Sequence, residues 1–187
     1  MIRPLLLLLC TAVAVAALAF LQSTTPSYTL LTGPVETDGV QKDTVSSRTF
    51  AIKVKKVIRA ETISFTRYGQ PTERQTGGCW LIVSVELQSK RETMSIRGAA
   101  IEGASGRLYR QSLRVDGAPR LVSDKRIQPG LTTRGLFVFE LPEPETQDMT
   151  LVVSRQPSPR LESEIRVKLD RNGVEKRGHV EIGGNDI

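Results

Sequence analysis

The hydropathy pattern opens on an apolar run from Leu5 to Leu21 that holds no charge, Gly or Pro, and no comparable run follows. As a helix its 17 residues would span roughly 25 Å, at the lower edge of what crosses a hydrocarbon core of ~30 Å. A run this uniformly apolar has no polar face to show water, which counts against a buried helix of a soluble domain. Arg3 precedes it and only Gln, Ser and Thr follow it directly, so the positive end stays in the cytoplasm and the downstream chain is exported. Two readings stand: a retained signal anchor, or a signal peptide cleaved after Ala19 at Ala17-Leu18-Ala19, which places small residues around the cut.

Residues 23–46 read as a flexible linker rich in Ser, Thr, Pro and Gly, within which Val40 or Val45 could open a strand. From Thr49 the period becomes two. Phe50, Ile52 and Val54 alternate with Ala51, Lys53 and Lys55. The phase then slips at Lys56, which predicts a β-bulge. Glu61 to Tyr68 predicts a short strand and Gly69 to Gly78 a polar turn region. Cys79 to Leu87 is the strongest strand, with Leu81, Val83, Val85 and Leu87 on one face and Ile82, Ser84 and Glu86 on the other. Met94–Ile101, Arg107–Leu113, Gly135–Leu141, Met149–Val153 and Ile165–Leu169 complete the set. Asp116 to Pro129 reads as a long loop, and residues 171–187 as a polar tail in which Val180 and Ile182 could add an edge strand. Short strands, each with one apolar face and short connections, predict an all-β fold: an antiparallel β-sandwich over residues 47–170, preceded by one N-terminal transmembrane helix.

The formal charge is +6. It is concentrated between Lys90 and Arg126, where nine basic residues meet four acidic ones. Arg107, Arg110, Arg114, Lys125 and Arg126 form a candidate anionic-surface patch. Outside the cytoplasm its partners would be lipid headgroups, acidic wall polymers or an acidic protein. Nucleic acid is excluded by compartment, and by the lack of aromatics among these residues apart from Tyr109.

Candidate catalytic chemistry is sparse. Of two cysteines, Cys10 lies in the apolar run and cannot pair with Cys79. Leu9, where a lipoprotein signal needs a small residue, excludes lipidation of Cys10. Cys79 reads as a buried small apolar residue. The single histidine, His179, sits in the tail without partners nearby. No Gly-x-Ser-x-Gly, His-Glu-x-x-His, Cys-x-x-Cys or phosphate-binding Gly-Lys-Ser loop occurs. Glu143/Glu145 and Glu162/Glu164 are i, i+2 pairs that would serve hydrolysis or Ca²⁺ binding if not solvated surface. The reading assigns no catalytic residue, cofactor or metal.

Four features recur in order: Gly78-Cys79-Trp80-Leu81-Ile82-Val83-Ser84-Val85; Ala99 to Tyr109 with its Gly103-Ala104-Ser105-Gly106 turn; Gln128-Pro129-Gly130 before Gly135 to Pro142; and Met149 to Val153 followed by Pro159 to Glu164. Together they resemble the telokin-like, immunoglobulin-like domains of unassigned function found in exported actinobacterial proteins, over roughly Phe50 to Leu169. The resemblance implies a two-sheet immunoglobulin-like sandwich, exported or membrane-tethered, and carries over no catalytic residue. The expectation is a non-catalytic extracytoplasmic binding or accessory module, tethered to the cytoplasmic membrane through residues 5–21, with an envelope or membrane protein as partner. The alternatives are a freely secreted β-sandwich, or an envelope hydrolase using the paired carboxylates.

Overall fold

A computed structural model describes residues 2–24, 33–158 and 162–183. The middle of the predicted linker (25–32), residues 159–161 and the last four residues of the tail lie outside the described residues. The chain divides into two units, residues 1–33 and 34–187.

The first unit is one helix, α1 (Ile2–Thr24). It is six residues longer than the apolar run, because Pro4 is tolerated in a first turn and the polar end caps itself. The Ser23 hydroxyl donates to the Phe20 carbonyl (2.8 Å) and the Thr24 hydroxyl to the same oxygen (3.1 Å). At 1.5 Å per residue it reaches roughly 34 Å, enough to cross the ~30 Å core. The Ala19–Phe20 bond lies inside it.

Among the described residues the second unit holds ten strands: β1 (Val35–Val40), β2 (Thr44–Ser46), β3 (Phe50–Arg67), β4 (Gln70–Ser89), β5 (Gly98–Glu102), β6 (Leu108–Arg110), β7 (Thr133–Leu141), β8 (Thr150–Ser154), β9 (Ser163–Lys168) and β10 (Val174–Ile182). One sheet runs β1-β9-β8-β5-β6 and the other β10-β3-β4-β7, with β2 also paired to β3. Between them lies a core built from alternate residues, including Ile52, Val54, Leu81, Val83, Phe137, Phe139, Leu151 and Ile165. The predicted bulge is present: the β3–β4 register shifts between Val54 and Lys56.

Four expectations are corrected. The sheets are mixed rather than antiparallel, since β1 pairs parallel with β9 and β10 parallel with β3. These pairs join strands far apart in sequence, so short connections do not constrain their direction. The described end of the predicted linker holds strand at Val35–Val40 and Thr44–Ser46, which takes in the expected Val40 and Val45, and β10 fills most of the predicted tail, with Val180 and Ile182 in a strand as the sequence allows and His179 paired with Thr62. The polar stretch after Gly69 is the second arm of a long hairpin, in which Gln70–Gln75 pairs with Thr62–Arg67. The turn is only Tyr68-Gly69, whose φ values of 49° and 80° match the two-residue turn that suits the strand twist.

The fourth correction concerns the second sheet, which is apolar on both faces. Ile58, Ala60, Ile63, Phe65, Trp80, Ile82, Leu136 and Val138 point away from the main core. Val180 and Ile182 of β10 extend this face, and Val115, just ahead of the predicted loop, with Ala118 and Leu121 inside it, buries it. The segment 113–124 therefore caps the sheet. It is pinned where Leu136 N–H donates to the Arg120 carbonyl (2.9 Å). Gly135 permits this approach, since a Cβ there would stand 2.6 Å from a Val122 methyl.

Candidate functional site

The cap does more than cover the second sheet. Where it passes the edge of the first, it leaves a groove of about 650 Å³. The floor is the outer face of the β5–β8 pair, where Ala100 lies opposite Val152 and Gly98 opposite Ser154. Small side chains keep this floor low. The rims come from β6 and the cap, and each presents an exposed leucine: Leu108 is 42% exposed and Leu113 90%. β6 reaches this position because the chain after Arg110 crosses from the first sheet to the second, where Ser112 N–H donates to the Val138 carbonyl (3.0 Å).

Four charges line the groove. Asp116 is 3.6 Å from Arg67, and Asp124 accepts from the Ser123 hydroxyl (3.1 Å). Arg97 and Arg110 are exposed and make no side-chain ion pair among the described residues. With Asp116 matched by Arg67, two guanidiniums face the one unmatched carboxylate of Asp124, so the net charge of the groove is positive. An apolar channel with two unpaired guanidiniums suits an extended apolar group carrying an anion.

The five basic residues singled out from sequence fall into different neighbourhoods. Arg110 lines the groove. Arg114 turns to the other side of the cap, where its guanidinium donates to Glu140 (2.6 Å) and to the Gln75 carbonyl (2.8 Å). The Lys125 ammonium donates to the Arg134 carbonyl (2.5 Å). Arg107 sits in the β5–β6 turn, and Arg126 is exposed just after the cap. Arg97, which the sequence reading passed over, joins Arg110. The signal was faint: an Arg directly before the small-residue run Gly98-Ala99-Ala100.

The paired carboxylates are each bound separately. Glu143 accepts from Arg59, whose hydrogen bond and charge hold its carboxyl below the usual carboxylate range. Glu145 accepts from Ser105 N–H (3.0 Å), and that backbone bond lowers it likewise. Glu162 lies 3.7 Å from Arg155, while Glu164 is buried with Arg166 at 3.6 Å. A general acid needs a raised carboxyl, and Glu143 and Glu145 are both lowered. Cys79 is 1% exposed, donates to the Leu141 carbonyl (3.5 Å), and burial pushes its thiol up, away from nucleophilic use. His179 is exposed. Among the described residues no three His, Cys, Asp or Glu side chains are grouped to hold a metal ion.

No family model and no curated protein matches the chain. Among solved structures it is similar to the yjhA protein of Bacillus subtilis, with a TM-score of 0.53, 18% identity, and 71% of this chain and 99% of that one covered. It is also similar to an uncharacterized β-sandwich protein of Clostridium difficile 630, with a TM-score of 0.46, 12% identity, and 77% and 99% covered. At these identities the likeness to the Bacillus protein concerns the fold alone: a β-sandwich domain, here preceded by an apolar helix.

Proposed function

We propose that this protein is a non-catalytic accessory module, held in the cytoplasmic membrane by α1 with its sandwich outside the cytoplasm, that binds an apolar, acidic segment of an envelope protein. The groove carries this reading: Leu108 and Leu113 are exposed beside two unpaired arginines. The basic residue before the apolar run and the polar sequence after it support the orientation. An immunoglobulin-like kinship is part of the proposal, supported by the two-sheet packing and the order of motifs from Gly78 to Val153.

A photo-crosslinker at Leu113 in the full-length protein tests the binding role in cells. A membrane or envelope adduct is expected. It should be lost in Arg97→Glu/Arg110→Glu and retained in His179→Ala. No adduct, or one indifferent to the two arginines, would remove the groove from consideration. Mass spectrometry of the mature N-terminus separates the secreted alternative, which requires Phe20 as first residue.

A further inference from the structure

The groove is not the only place with uncompensated charge. A second depression, of about 370 Å³, lies at the end of the sandwich where the chain arrives, and Val35, Arg48, Arg91 and Arg155 line it. Arg155 engages both carboxylates there, Glu92 at 2.8 Å and Glu162 at 3.7 Å. Arg48 and Arg91 are exposed and have no ion pair among the described residues. Arg97 adjoins them, its N–H donating to the Arg155 carbonyl (3.0 Å), and Lys90 is tied in by its ammonium on the Ser47 carbonyl (2.5 Å).

We infer that this end of the sandwich docks on anionic phospholipid headgroups, with Arg48 and Arg91 as the phosphate contacts. The inference rests on the anchored reading above. Residues 25–34 connect Thr24 to Val35, and ten residues of chain, whatever their path, reach at most about 35 Å. Tethering makes the surface encounter intramolecular, at an effective concentration of order millimolar. Each basic residue near an anionic surface shifts the partition roughly fivefold, so two act together about twenty-five-fold. Guanidiniums bind phosphate by paired N–H donors, which suits them to this contact better than lysine.

The test uses the full-length protein reconstituted into phosphatidylcholine vesicles, or into vesicles of equal parts phosphatidylcholine and phosphatidylglycerol. Retention after an alkaline wash reports insertion of α1 in both. Amide hydrogen exchange reports docking through residues 47–50 and 89–97. Exchange there should slow several-fold with phosphatidylglycerol at low salt and recover at high salt. Arg48→Gln/Arg91→Gln should abolish the slowing, and Arg110→Gln should keep it. Equal exchange in both vesicles, slowing that survives the double substitution, or the same slowing from inorganic phosphate with phosphatidylcholine alone would overturn the inference. Release by the alkaline wash would overturn the anchored reading, and this inference with it, on a separate readout.

Discussion

The Arg114 guanidinium stands 5.2 Å from the centroid of the Trp80 ring. It closes the cap over the second sheet from above, and its donors reach Glu140 on β7 and the Gln75 carbonyl on β4. One side chain thus ties three elements together. Its position decides where the cap, and with it the groove rim at Leu113, lies.

Arg114→Ala should therefore lower stability by about 1–3 kcal/mol, the sum of a partly desolvated cation–π contact and charge-assisted hydrogen bonds. Trp80 is the sole tryptophan, so its emission reports the cap directly. Denaturant titration should show the loss, and the native emission should shift to the red as water reaches the ring. Unchanged emission would mean that the cap holds without Arg114.

Burial on both faces of β4 makes a sharper prediction. Leu81 faces the main core and Ile82 the cap, and both are fully buried. Leu81→Ala and Ile82→Ala should each cost about 2–5 kcal/mol. A solvent-facing Ile82 would give a change near zero in the same equilibrium unfolding experiment.

Glu143, Glu145 and Glu175 all have lowered carboxyl pKa values, through hydrogen bonds from Arg59, Ser105 and Arg177 respectively. A carboxyl depressed in the folded state adds stability that is present above its unfolded value and is lost as pH falls through the folded one. The denaturation midpoint should be flat above the ordinary 4.5 and fall below it. Glu143→Gln/Glu145→Gln should flatten that fall. Glu143 is exposed and Glu145 and Glu175 are half-exposed, so the effect should shrink in high salt.

Cys79 should resist alkylation in the native protein and react only on unfolding, since its thiol is buried and its pKa raised. Thiol titration with and without denaturant, on the Cys10→Ser variant, measures this. Fast native labelling would place Cys79 at an accessible surface instead.

The turn at Tyr68 offers a stabilising substitution. Tyr68 is 87% exposed with a φ of 49°, a region where Asn or Gly is at ease and a bulky residue is strained. Tyr68→Asn should raise stability by about 0.5–1 kcal/mol, unless the Arg67 guanidinium 5.5 Å from its ring contributes as much. Equal or lower stability would show that this contact outweighs the strain.

Periodicity alone determined much of this protein. The run from Leu5 to Leu21 dictates a membrane-length helix because uninterrupted apolar sequence satisfies lipid and nothing else. The alternation along Phe50–Val54, Cys79–Leu87 and Gly135–Leu141 dictates strands with a shared inner face, and the slip at Lys56 marks the bulge, because side chains in a strand alternate strictly. Tertiary structure decided what local pattern cannot carry. The partners of β1 and β10 are distant and parallel, so no turn announces them. Polar Gln70–Gln75 is strand because β3 offers it a ladder, not through its own propensity. Trp80, Ile82, Leu136 and Val138 were visible as apolar residues on the second face. What buries them is a loop of irregular backbone with no period to read, and the same loop, in crossing from one sheet to the other, brings Arg110 to Arg97 and opens the groove.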